Sequence, residues 1–117
     1  MIKFNFFKLN EFKCKCCGKN EIKEELIILL DNARDIAGIP FKITSGYRCP
    51  EHNKKVSGVK DSAHIKGLAA DIEVNDSTRF IITKSLIQMG FNRIGIAQYF
   101  IHTDIDDSKP KFTLWLY

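Results

Sequence analysis

The segment LAADIEV, Leu68 to Val74, reads as a buried strand with an aspartate at its centre. That placement restricts the fold more than any other feature. An isolated carboxylate is costly to bury, so Asp71 must be paired, hydrogen-bonded or bound to a metal. His64 precedes it in SAHIKGLAAD, and the small residues Gly67, Ala69 and Ala70 between them permit a close turn that returns the carboxylate to the imidazole. A second segment, FIHTDI, has the same character. Residues two apart on a strand share a face, so His102 and Asp104 point one way while Ile101, Thr103 and Ile105 point the other. If the two segments are neighbours in a sheet, His64, Asp71 and His102 form a two-histidine, one-aspartate set. This is the pattern of a catalytic zinc site, with a fourth position open to water. The residue types leave alternatives open. One histidine beside one aspartate is also a satisfied core pair. Ferrous iron takes a two-histidine, one-carboxylate triad, and its H-x-D form is imitated by His102 and Asp104. His52, in PEHNKK, is expected to face solvent.

A chain of 117 residues makes one domain around a single core. Apolar residues Ile22, Leu26, Leu29, Leu30, Ala33 and Ile36 recur at helical spacing through EIKEELIILLDNARDIAG. Asn20 is the expected cap, and Gly38 with Pro40 the stop. FKITS predicts a short strand, and Gly46 to Gly67 a long loop with a helical turn near Glu51 to Val56. A second helix is expected over Ser77 to Met89, capped by Ser77 or Asp76 and closed by Gly90. The last third is β-rich, with a turn at Asp106, Asp107, Ser108 and Pro110, and KFTLWLY closing the sheet. The pattern predicts an α+β domain with an antiparallel sheet and helices packed on one side.

The four cysteines, Cys14, Cys16, Cys17 and Cys49, are too few for a disulfide scaffold. Cys14 and Cys17 have the C-x-x-C spacing of half a zinc ribbon or a redox pair. With no second C-x-x-C, a complete site needs Cys16 or Cys49 and an outside ligand, and the simpler expectation is reduced thiols. The net charge of +4 is mild; it favours an anionic partner such as a wall polymer, phosphate or nucleic acid, though such an excess usually only keeps a protein soluble. Lys54, Lys55, Lys60 and Lys66 cluster near the expected cleft. No apolar run approaches the length of a membrane helix. The opening MIKFNFFKLNEFKC lacks the apolar core and cleavage site of a secretory leader. The chain is therefore expected to be made and kept in the cytoplasm unless something else exports or releases it.

Three blocks, SGYRCPEHN, SAHIKGLAAD and YFIHTDI, resemble in order those of the D-alanyl-D-alanine carboxypeptidase-like zinc peptidases, whose fold is shared with the Hedgehog signalling domain. The pattern S-x-H-x-x-G-x-A-x-D is matched at Ser62, His64, Gly67, Ala69 and Asp71. LNEFKCKCCG and Trp115 are similar to small phage and prophage members, so the resemblance covers nearly the whole chain. It implies zinc held by His64, Asp71 and His102, and hydrolysis of an amide bond in peptidoglycan stem peptides or cross-bridges. It also implies Arg48 as the arginine that meets a substrate carboxylate or oxyanion. Ser62 either bonds near the site or braces its loop, and Tyr47 and Asn53 read as loop scaffolding. Where many members carry a base, two or three residues before the last ligand, this chain has Phe100 and Tyr99. Asp104 is therefore the expected general base, Glu73 a second candidate, and orientation of His102 the other role open to Asp104. The expected enzyme is a monomeric lysin or wall-remodelling peptidase with no nucleic-acid or membrane partner. The alternative is a zinc-stabilised domain that binds wall peptides without cutting them.

Overall fold

The structure, a computed structural model, describes residues 4–117, so the first three positions of the opening MIKFNFFKLNEFKC stretch lie outside the described residues. A 3-10 turn (Leu9–Phe12) leads to α1 (Glu24–Ala37), β1 (Ile43–Ser45), α2 (Pro50–Lys55), β2 (Ala69–Glu73), α3 (Arg79–Met89), β3 (Arg93–Ile96), β4 (Phe100–Asp104) and β5 (Thr113–Leu116). The strands form one sheet in the order β1-β2-β4-β3-β5. No helix among the described residues is long and apolar enough to cross a membrane.

The period-2 alternation of the strands divides the sheet into two unlike faces. Ala70, Ile72, Ile94 and Ile101 join the core beneath the helices, where α1 supplies Leu26, Ile27, Leu30 and Ala33, and α3 supplies Ile82 and Leu86. α1 and α3 pack on each other, and α3 also packs on β4. Asp71, His102, Asp104 and Arg93 occupy the intervening positions and share the opposite face. The fold is α+β, as its pattern of elements predicts. Pairing is antiparallel from β1 to β3, but β5 runs parallel to β3. The chain reverses after β4, yet β2 and β3 already occupy both edges of β4. The returning strand therefore lands beyond β3 and must run parallel to it.

Both helices start later than their local signals suggest. Asn20 does not cap α1: its Oδ1 accepts from Ile22 N at 3.1 Å and its Nδ2 donates to Leu9 O at 2.8 Å. Lys23 takes the cap position and its backbone N–H donates to Gly67 O at 2.9 Å, so residues 20–23 are docked on the loop before β2. Glu24 and Glu25 then fill the first turn, where negative charge suits the helix dipole. Thr78, rather than Ser77 or Asp76, precedes α3, because Asn75 Oδ1 folds the approach by accepting from the N–H groups of Ser77 and Thr78. Gly38 and Gly90 end their helices in the left-handed conformation. The buried carboxylate of Asp31 accepts from the backbone N–H groups of Asn5, Phe6 and Phe7 and thereby ties the N-terminal segment to α1.

Candidate metal centre

β2 and β4 pair so that Asp71 lies opposite His102, and β3 places Gly95 on the other side of His102. On β1 the register slips between Ile43 and Ser45, which oppose Ile72 and Asp71 respectively. This bulge turns Ser45 toward the site, where its Oγ accepts from Arg48 Nε at 3.0 Å. His64 arrives from the long loop. Its backbone N–H donates to Ser62 Oγ at 3.2 Å, its carbonyl accepts from Arg48 N at 3.1 Å, and Leu68 N–H closes the turn onto Ala63 O. Gly67 makes the turn possible in two ways. Its φ is +73°, and a Cβ there would lie 2.0 Å from Glu21 O, so only glycine fits.

The hydrogen bonds fix both imidazole tautomers. His64 Nδ1 lies 2.8 Å from Gly46 O, and a carbonyl only accepts, so Nδ1 carries the hydrogen and Nε2 is left with its lone pair. His102 Nε2 lies 2.8 Å from Asp104 Oδ2, which likewise calls for a hydrogen on Nε2 and leaves the lone pair on Nδ1. Both free lone pairs face the same carboxylate oxygen: Asp71 Oδ1 is 3.3 Å from His64 Nε2 and 2.9 Å from His102 Nδ1. Three electron-rich atoms converge on one buried point, within 4.8 Å of one another. Only a cation or an added proton relieves that arrangement. The direction of the His102 pKa agrees. Burial lowers it, but Asp104 and Asp71 outweigh burial and raise it above the ordinary imidazole value. Burial raises the Asp71 carboxyl, yet the two facing imidazoles, which donate to it once they gain the added proton, hold it well below the usual carboxylate range. Two imidazole nitrogens and a carboxylate oxygen are a zinc-type donor set, so the residues present fit that ion.

These groups form the floor of a cleft of about 390 Å³, walled by Arg48, Ser62, Lys109, Trp115 and Tyr117 among others. Besides its bond to Ser45, Arg48 donates to Asn53 Oδ1 at 3.2 Å and to Asp71 Oδ2 at 3.4 Å, which pins the guanidinium at the edge of the donor set. Asn53 is itself held by Val59 O, and the Tyr47 hydroxyl donates to Glu21 at 2.9 Å. Burial and that carboxylate push the Tyr47 phenol up to about 12. Both residues brace the loop, as does Ser62.

Asp104 is only 2% exposed and lies behind His102. Its Oδ2 holds His102, while its Oδ1 accepts from Arg93 Nε at 2.7 Å and from Asp106 N at 3.2 Å. Burial raises its carboxyl, and His102 and Arg93 more than offset that and lower it. Glu73 is at the rim, its side chain half exposed beside Lys42 and outside the cleft. Lys66 is bound to Asp106 and Ser108, while Lys54, Lys55 and Lys60 are exposed. His52 is half-buried rather than free in solvent.

Arg93 is the residue that sequence reasoning missed. It neutralises Asp104, donates to Pro110 O, and lies 5.1 Å from the Trp115 ring centre. Its signal was the alternation Arg93, Gly95 in FNRIGI. That alternation becomes informative only once β3 is known to lie beside β4.

The sheet carries helices on one face and, on the other, a cleft whose histidine–aspartate floor is a candidate metal centre. A family model for Peptidase M15 matches residues 5–106, and the chain belongs to that family, the D-Ala-D-Ala carboxypeptidase-like zinc peptidases. No curated protein matches the chain.

Proposed function

We propose that this protein is a zinc-dependent peptidase that hydrolyses an amide bond in peptidoglycan stem peptides or cross-bridges. The observation that carries the reading is the convergence of His64 Nε2, Asp71 Oδ1 and His102 Nδ1, with both imidazole tautomers fixed by Gly46 O and Asp104. Zinc bound by these three residues supplies a Lewis acid that polarises a carbonyl and makes water more acidic. The chain does the rest. Arg48, held in a fork by Ser45, Asn53 and Asp71, offers permanent charge to a stem-peptide carboxylate or to an oxyanion. Asp104 has both oxygens engaged, and its role in this reading is to orient His102 and raise its basicity. The cleft, with Arg48 and Lys109 in its walls, suits an anionic peptide.

One observation favours the second reading, a wall-peptide-binding domain that does not cut. Asp71 and Asp104 are the only carboxylates among the residues lining the cleft, and neither has a free oxygen aimed at a substrate. Digestion of purified peptidoglycan by the zinc-loaded protein, followed by mass spectrometry of the released muropeptides, tests both readings. New amino groups that a chelator abolishes support the peptidase and identify the bond. Saturable binding with no new amino groups sinks it.

A further inference from the structure

Three of the four cysteines form a second cluster, separate from the histidine–aspartate site. In CKCCGK the Cys14 N–H donates to Lys19 O at 2.7 Å and the Gly18 N–H to Cys14 O at 2.9 Å. Gly18, with φ +75°, closes this knuckle. The fold then brings Cys49, from the turn before α2, against it. The sulfurs of Cys14, Cys17 and Cys49 lie within 4.8 Å of one another. In a tetrahedral thiolate site with bonds of about 2.3 Å, sulfurs sit about 3.8 Å apart, so the cluster needs only a small contraction to close on an ion. The sulfurs are also surrounded by donors. Cys14 Sγ accepts from the Cys49 N–H at 3.4 Å, and the backbone of Cys16 and Cys17 turns N–H groups on it as well. Cys49 Sγ accepts from the His52 N–H at 3.4 Å, and Cys17 from Lys19. The backbone donors around Cys14 lower its thiol and favour the thiolate, the form that binds metal, whereas neighbouring sulfurs and burial raise Cys17, so an ion must displace that proton. All four cysteines are free, and the exposed Cys16 thiol lies outside the close trio but near enough to Cys49 to feel its charge.

We propose that Cys14, Cys17 and Cys49, completed by Cys16, form a structural site for one zinc ion, distinct from the His64–Asp71–His102 centre. Binding displaces the thiol protons to solvent, and Lys55 beside Cys16 with Lys13, Lys15 and Lys19 in the knuckle offsets the resulting negative charge. The closed, all-sulfur donor set excludes water, so the ion has a structural role. It fastens the N-terminal segment to the turn that delivers the active cleft. Tyr47 N–H donates to Phe12 O at 2.8 Å, and a Cβ at Gly46 would lie 2.6 Å from that same oxygen. The segment anchored by the ion therefore buttresses both the Gly46 carbonyl that orients His64 and the Arg48 that follows.

The test uses the full chain prepared in reductant. After removal of free metal, elemental analysis should give two zinc ions per chain, one for each donor group. Replacement by cobalt should add a sulfur-to-cobalt charge-transfer band in the near ultraviolet. That band should survive His64→Ala and disappear in Cys17→Ser, a change at an exposed position that lowers the zinc content from two to one. If Cys17→Ser does not fold, the cobalt spectrum of the unaltered chain decides alone. A single zinc with no charge-transfer band overturns the proposal. So does chain prepared in reductant that, unfolded, titrates fewer than four thiols, because a disulfide then accounts for the cluster. Neither measurement depends on peptidase activity.

Discussion

His102 and Asp104, two residues apart on β4, are joined by a 2.8 Å hydrogen bond from Nε2 to Oδ2, and that bond turns the Nδ1 lone pair of His102 onto Asp71. Asp104 is also, among the described residues, the acidic partner of Arg93. Asp104→Asn should therefore weaken zinc binding by about 10–100-fold, as loss of a histidine-orienting partner does. Asp104→Ala should in addition cost about 3–5 kcal/mol of stability, because it leaves the Arg93 charge buried and unpaired. Chelator competition and urea unfolding measure the two effects. Normal zinc affinity in Asp104→Asn with a collapsed turnover would instead return Asp104 to the role of base.

Arg48 separates charge from geometry. Arg48→Lys keeps a cation but loses the planar fork that reaches Ser45, Asn53 and Asp71 together. Zinc content should be unchanged, while kcat/KM on muropeptides falls by about 100-fold, the usual loss when an oxyanion donor is removed. An unaltered kcat/KM would exclude contact between Arg48 and the substrate.

Two glycines with nearly the same φ predict unequal costs. Gly38, at +71°, has open space where a Cβ would go, whereas Gly67, at +73°, would drive it to 2.0 Å from Glu21 O. Gly38→Ala should cost about 1 kcal/mol, the penalty of the left-handed conformation alone. Gly67→Ala should cost several times more and should also lower zinc affinity, because the backbone that must move carries His64. Equal unfolding midpoints for the two variants would refute the close approach.

Asp106 gives the fold an acid-sensitive bond. Burial raises its carboxyl, but Lys66, 2.8 Å away, and Ser108 outweigh that and hold it below the ordinary value of 3.8. A lowered folded pKa means a contribution fully present above the unfolded value and lost as pH falls through the folded one. Thermal unfolding of the metal-free protein should therefore fall steeply on acidification below about pH 4. In Asp106→Asn that slope should be shallower and the stability near neutrality lower. Parallel pH profiles would show that Lys66 contributes nothing.

Much of the fold was legible because its signals are local. The spacing of Leu26, Leu30 and Ala33 marks α1, Gly38 and Gly90 mark the two helix ends, and the alternation in FIHTDI assigns Ile101 to the core and His102 to the cleft. The helix starts were not legible. Asn20 carries a capping side chain, but its neighbours are held extended by Gly67, a partner far away in sequence.

The amino-acid sequence by itself determined the kind of chemistry open to this chain: a carboxylate in an apolar strand, two histidines with carboxylate neighbours, and a glycine turn between loop and strand. Those are consequences of residue type and spacing. Tertiary structure decided which atoms meet. The register of β2 on β4 sets Asp71 against His102, and Gly46 O and Asp104 choose the tautomers. The same pairing of distant segments brings Arg93 behind Asp104 and carries Cys49 to the CKCCG knuckle. Strand register and long-range hydrogen bonds are properties of the assembled sheet, so no local pattern in the chain could specify them.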